Sequence, residues 1–287
     1  MRGSSGVRAR ISFITVQYNN KLDTTRFVSS VADLFDNDGC DVVVVDNSTS
    51  VEMQADARTL QGLSRVPVKV LLTGVNLYYW GATAFAIDRM VASGRSVPDW
   101  IVVCNNDVTI EDPHFIRKVR ALDTAKFPIV APRITSSAGT EQNPLLESPP
   151  HFLKRLKWRI YDVDYRIARV MLLLKKAVSR TGPPKRRDGS VTPKRIYAPH
   201  GSFVLLSSDF FSRGGTFDTT VPLFAEELTL AATAVQLGLP VWYFPDIQVA
   251  HREHSTTGHE LTRSKYELER QARRRYYSLV KGVARST

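Results

Sequence analysis

Residues 100–108 read WIVVCNNDV: five apolar side chains, then Asn105, Asn106 and Asp107, then a return to valine. An unbroken apolar run of this length predicts a strand covered on both faces, and the polar triplet marks its carboxyl end. The same design recurs outward from it. Residues 11–17 run into Tyr18, Asn19 and Asn20, and residues 41–46 end on Asp46 before Asn47 and Ser48. Residues 66–72 and 129–131 are further strand candidates. Helix-length segments separate them near residues 22–35, 51–62, 80–93 and 112–122, the last with Asp112 and Pro113 as its start. Strand and helix in alternation predict a parallel α/β sheet flanked by helices, and ligands of such sheets bind at the carboxyl edge.

The chain has 287 residues and is 43% apolar, enough for one large α/β domain or two small ones. Its formal charge of +11 implies an anionic partner: nucleic acid, an acidic membrane surface or a phosphorylated substrate. Cys40 and Cys104 lie in or beside apolar runs and are too few for a disulfide framework, which fits a reducing, cytoplasmic setting. No apolar run reaches the ~20 residues that span a bilayer. Residues 1–10 lack the apolar centre of a secretory signal and read as a disordered leader.

Beyond residue 135 the pattern changes. Residues 136–150 read as a loop. Phe152, Leu156, Ile160, Val163, Ile167, Met171 and Leu174 then recur at spacings of three and four, predicting one stripe on a long helix edged by Lys154, Arg155, Lys157, Arg159, Arg166, Arg169, Lys175 and Lys176. Such a stripe either packs on the domain or lies on an anionic membrane. Residues 182–192 are too polar and broken to pack. A strand at 202–207, a helix at 225–237, a strand at 240–245 and a basic helix at 260–281 complete the reading.

Four strand or helix ends carry candidate chemistry. Val16, Tyr18 and Asp46 stand where two adjacent strand ends could hold a nucleoside, although Asp46 and Asn47 could equally make a turn. Asp107, flanked by the amides of Asn105 and Asn106, suits Mn²⁺ or Mg²⁺, hard cations that bridge carboxylates to substrate phosphates. Glu226 and Glu227 open a helix, where acids also have a purely structural use. Glu227 is the candidate general base, with Glu226 binding acceptor or shaping the pocket. His251 could complete a metal site begun by Asp107, and His200 could face the same cleft. His254 and His259 lack such company and read as surface residues.

In this order and spacing, these residues resemble the family-2 glycosyltransferases of the GT-A fold, in particular bacterial rhamnosyltransferase-like and galactofuranosyltransferase-like members. The resemblance covers about residues 11–135 and 196–254. Residues 15–20 and 43–48 look like the family's opening strands, which hold the donor's base and ribose. Asn76 with Tyr79, Trp80 and Gly81 resembles the segment beside the donor, and residues 105–107 match an Asp-x-Asp-type motif with Asn in first place. The segment from Gly201 through Phe217, Asp218 and residues 224–230 resembles the acceptor side. There the second acid of a pair is the base, which by this match is Glu227. His251 falls at the metal-binding histidine.

Three positions depart from the pattern: Glu227 stands where Asp is usual, Thr229 where a further Asp is common, and Ala84 where Asn is expected. The resemblance implies an inverting, metal-dependent transferase taking sugar from a UDP- or dTDP-type donor to a glycan or lipid-linked acceptor, in bacterial surface polysaccharide synthesis. It would work in the cytoplasm or peripherally at the inner face of the cell membrane. The expected division is a leader at 1–10, a nucleotide-sugar-binding half at 11–135, a basic helical insert at 136–195, an acceptor half at 196–259 and a C-terminal helix at 260–287. A nucleotidyltransferase would need cations set against a triphosphate near the first strand turn, which offers mainly Lys21 and Arg26 and no glycine-rich loop before the helix. A catalytically silent sugar-nucleotide binder is a further alternative. Nucleic acid is not the expected partner, because the basic segments lack interleaved aromatics.

Overall fold

The computed structural model describes residues 8–62, 64–179, 192–224, 226–253 and 261–283. Most of the leader, the break at 182–191, and His254 and His259 lie outside the described residues. Strands β1 (Ile11–Gln17), β2 (Cys40–Asp46), β3 (Val68–Leu72) and β4 (Trp100–Asn105) pair in parallel in the order β3-β2-β1-β4. β5 (Val108–Thr109), β6 (Ile129–Ser136), β7 (Lys194–Ile196), β8 (Phe203–Ser207) and β9 (Val241–His251) extend the same sheet as β4-β8-β6-β9-β5, with β7 on β9. β8 enters antiparallel to β4 and β6, so the sheet is mixed.

Alternate residues of each central strand serve opposite layers, and that explains the unbroken apolar runs. Phe13, Val42, Val44 and Val102 face one layer with Phe27, Val28 and Val31 of α1 (Lys21–Ala32) and Phe115, Ile116 and Val119 of α4 (Phe115–Arg120). Ile14, Val43, Val45, Ile101 and Val103 face the other, under Trp80, Ala82 and Ala86 of α3 (Tyr78–Ala92) and Leu230 and Ala234 of α8 (Glu226–Gln236). Segment 51–62 divides into α2 (Val51–Arg58) and a 3-10 turn (Thr59–Gly62).

Several elements differ from the sequence reading. Asp112 does not start a helix; its carboxylate accepts the His114 N–H at 2.9 Å, and α4 begins at Phe115. The expected long helix is two, α5 (Phe152–Tyr161) and α6 (Tyr165–Ser179). The break falls at Asp162, whose carboxylate is gripped by the Arg273 guanidinium at 2.6 Å. The strand expected at 240–245 continues to His251. Its ladder with β6 shifts after Phe244, so Pro245, which has no N–H to donate, sits in a bulge. A short helix, α7 (Ser208–Ser212), follows β8.

The terminal helix α9 (Arg263–Val283) packs Ala272 and Tyr276 against Val221, Leu228 and Ala232. It also holds α5, through Trp158 edge-on to Tyr276 and Tyr161 O–H to Glu269 at 2.9 Å.

Candidate active site

The carboxyl ends of β1, β2 and β4 open onto a cavity of about 680 Å³, closed on the other side by the start of α8 and the end of β9. Val16, Tyr18, Asn76, Asn105, Asn106, Asp107, Glu226, Glu227 and His251 all line it, together with His200.

Asp107 and His251 are 144 residues apart, yet Nε2 of His251 lies 3.1 Å from Oδ1 of Asp107. The pairing of β5 with β9 causes this, because it sets Val108 opposite His251 and bonds the Arg252 N–H to the Asp107 carbonyl at 3.0 Å. The other imidazole nitrogen, Nδ1, lies 2.7 Å from Oε1 of Gln142, whose amide N–H₂ donates to Glu253 Oε1 at 2.5 Å. Ionised, Glu253 accepts only, so the amide nitrogen faces it and the amide oxygen faces Nδ1. With Nδ1 turned to that oxygen, Nε2 is left facing a carboxylate oxygen. Such a pair can share a proton or bind a cation, and a histidine oriented through its far nitrogen is the usual support of a metal ligand. Among the described residues no group of three or more His, Cys, Asp or Glu side chains is placed to hold a metal ion. A hard cation here would complete its shell with substrate oxygens and water, as Mg²⁺ and Mn²⁺ commonly do.

Across the cavity, Glu227 is clamped. Its Oε1 accepts the Gly201 N–H at 3.1 Å, and the Gly201 carbonyl accepts the Tyr79 O–H at 2.8 Å. A β-carbon at position 201 would lie 3.0 Å from Oε1 of Glu227, so any larger residue presses on the end of the Glu227 side chain. Burial, and then the negative charge of neighbours including Glu226, Glu227 and Asp107, push the Tyr79 phenol well above its ordinary pKa. Tyr79 thus stays a donor. His200 is held below its ordinary pKa, chiefly by burial. Its Nδ1 accepts the Ser202 N–H at 3.3 Å and lies 2.9 Å from Ser202 Oγ, and its backbone N–H donates to Asn143 Oδ1 at 2.6 Å.

Two expected donor residues do not reach the cavity wall. Trp80 is 2% exposed, and its Nε1–H donates to the Glu226 carbonyl at 3.1 Å. Helix α3 begins at Tyr78, so Tyr79 faces the cavity while Trp80, about 100° further round, faces the core. Asp46 is fully buried, with Oδ1 accepting the N–H and O–H of Ser48 at 3.0 and 2.6 Å. Its Oδ2 has no hydrogen-bond partner among the described residues. Asn47 takes the place on the wall, its Nδ2 donating to the Tyr78 carbonyl at 3.0 Å. Asn106 lines the wall, but its amide is committed to Asn20 O and Thr24 Oγ1 at 3.1 and 3.0 Å.

The sequence reading missed Gln142, Glu253 and Lys265, the last reaching the cavity from α9. No local motif marks them. Of the five non-glycine residues with positive φ among the described residues, Tyr78, Phe224 and Glu253, at 57°, 66° and 55°, line the cavity. Non-glycine residues in this region cost ~1–3 kcal/mol each and gather at functional sites.

Comparison with known proteins shows the family and the fold. The family described as "Glycosyl transferase family 2" matches residues 12–182. No curated protein matches the chain. Among solved structures, GalNAc-T7 with UDP, GalNAc and Mn²⁺ is similar with a TM-score of 0.58 at 13% identity, over 85% of this chain and 44% of that one. The mannosyltransferase PcManGT from Pyrobaculum calidifontis, in complex with GDP-Man and Mn²⁺, gives 0.54 at 12% identity, over 98% of this chain and 76% of that one. TarS from S. aureus gives 0.52 at 12% identity, over 85% and 36%. This chain therefore spans less than half the length of the first and third. The shared architecture is the GT-A fold.

Proposed function

This chain belongs to glycosyl transferase family 2, and on that premise we propose that it transfers a sugar, with inversion, from a nucleoside diphosphate donor to a hydroxyl group of an acceptor. The carrying observation is that the Asp107–His251 pair and the clamped Glu227 carboxylate line one cavity. The nucleoside half of the donor would lie over Val16 and Tyr18 at the ends of the parallel strands, with Asn76 and Asn105 beside it. Asp46 lies behind this wall and, through Ser48, supports the strand end beneath it. The family resemblance favours a UDP- or dTDP-type donor.

Asp107 and His251 would hold a divalent cation, which when bound offsets the charge that develops on the departing diphosphate. Gln142 fixes the imidazole so that Nε2 faces the carboxylate. Glu227 takes the proton from the acceptor hydroxyl as that oxygen attacks the anomeric carbon. Its Oε1 is engaged by the Gly201 N–H, which leaves Oε2 to receive the proton. Glu226 precedes it on the cavity wall and contributes to the acceptor subsite. The acceptor is a glycan or lipid-linked hydroxyl of a surface polysaccharide pathway.

The test is a panel of nucleoside diphosphate sugars scored by thermal stabilisation with and without Mn²⁺ or Mg²⁺, since a true donor binds the folded state alone. Asp107→Ala loses the metal-dependent shift. Glu227→Gln keeps it while turnover falls by about 10²–10⁴. Normal transfer by Glu227→Gln would remove it as the base, and a panel in which no donor stabilises the chain would end the proposal.

A further inference from the structure

Helix α5 has no buried residue. Phe152, Leu153, Leu156 and Ile160 on α5, Val163 at the joint, and Ile167, Val170, Leu173 and Leu174 on α6 are all between 37% and 67% exposed. The apolar stripe seen in the sequence is thus turned away from the core. Apolar side chains gathered this densely on a surface mark an interaction site.

At 100° per residue the four on α5 fall within an arc of about 100°, with Lys157 and Arg159 on its two borders. Trp158 and Tyr161 take the inner side, against α9. Residues 152–174 carry six basic side chains and two acids, Asp162 and Asp164. Asp162 is turned inward onto Arg273, leaving the outer charge positive. No described helix is long and apolar enough to cross a membrane, so an apolar face edged by cations belongs to an element lying in the plane of an interface.

We propose that the outer face of α5 and α6 docks on an anionic phospholipid surface. A second copy of the chain fits it poorly, because an isologous contact sets the patch against itself and brings like charges together. An anionic bilayer accepts the apolar side chains between its headgroups and gains from each basic residue at the border. A groove of about 680 Å³ between α5, α6 and α9 shares Lys265 with the catalytic cavity. Docking here brings that cavity beside the membrane, where a lipid-borne hydroxyl would be presented. This last consequence alone rests on the glycosyl-transfer reading.

The experiment is flotation of the full chain with phosphatidylcholine vesicles, with and without phosphatidylglycerol, at low and high salt. Binding is expected to the anionic vesicles only and to fall with salt. Arg155→Gln/Lys157→Gln/Arg159→Gln weakens it on the order of a hundredfold. Phe152→Ser/Leu156→Ser/Ile160→Ser abolishes it; all three positions are exposed, so the fold and its circular dichroism persist. Equal binding to neutral vesicles, or none to anionic ones, overturns the proposal. So does concentration-dependent self-association in sedimentation that the serine variant removes while flotation is absent. Donor-induced thermal stabilisation, measured without vesicles, separates the readings: its failure beside intact flotation refutes glycosyl transfer and leaves the docking face standing.

Discussion

Replacing Gly201 with alanine tests the base assignment without touching a charged group. The added β-carbon would stand 3.0 Å from Oε1 and 3.3 Å from Cδ and Cγ of Glu227. The side-chain end must then retreat by a few tenths of an ångström, loosening a hydrogen bond now at 3.1 Å. Misplacing a reacting group by about 1 Å costs on the order of 10² in rate, so a partial displacement predicts a fall in kcat of about tenfold, or ~1.4 kcal/mol of barrier. Stability should change by less than about 1 kcal/mol, because the displaced group is a flexible terminus in a cavity. Steady-state kinetics with the donor found by thermal screening should show lower kcat at nearly constant donor KM and Tm. The same alanine in a Glu227→Gln background should do nothing further, since the group it displaces no longer acts. Wild-type kcat in the single variant, or a full additional loss in the double, refutes a positioned Glu227.

Gln142→Ala frees the imidazole of His251 and is expected to raise the Mn²⁺ concentration for half-maximal donor stabilisation by about 10–100-fold; an unchanged value removes Gln142 from that support. Trp80→Phe loses the bond to the Glu226 carbonyl and should lower the Tm by the equivalent of roughly 1 kcal/mol with donor KM unchanged, whereas a raised KM at constant Tm would restore Trp80 to the donor site. Burial holds His200 below the ordinary 6.5, so the unfolded chain takes up a proton there that the folded chain resists. Stability is then complete above pH 6.5 and declines as pH falls from there through the folded value. The Tm-versus-pH slope in that window should shrink in His200→Gln, and identical slopes would contradict the assignment.

The parts of the fold that could be read in the sequence are those where burial on both faces writes an unbroken apolar run, as at Ile11–Gln17 and Trp100–Asn105. β5 and β7, with two and three residues, are too short to carry a period. β9 was cut short in the reading because proline normally ends a strand, and only its partner β6 reveals the bulge that admits Pro245. The break between α5 and α6 has one local mark, Asp164, whose carboxylate accepts the Arg166 N–H at 2.7 Å as a helix cap, while the grip of Arg273 on Asp162 comes from more than a hundred residues downstream. On the cavity wall, Asp107, Glu227 and His251 were singled out because strand and helix ends display chemistry locally. Gln142 was not, since the 136–150 loop comes beside β9 through contacts such as the Ser137 N–H to the His251 carbonyl. Trp80 was misplaced because similarity along a segment says which residues occur, and helical phase decides which way each one points.

The contact between Asp107 and His251 is closed by β5, a two-residue strand at the sheet's rim, while Val16 and Asn105 pair on strands within the sheet. Central strands open near the global unfolding energy and rims well below it. Mild denaturant should therefore unfasten the proposed cation-binding corner first, and an early transition in metal response ahead of the main one would be its signature.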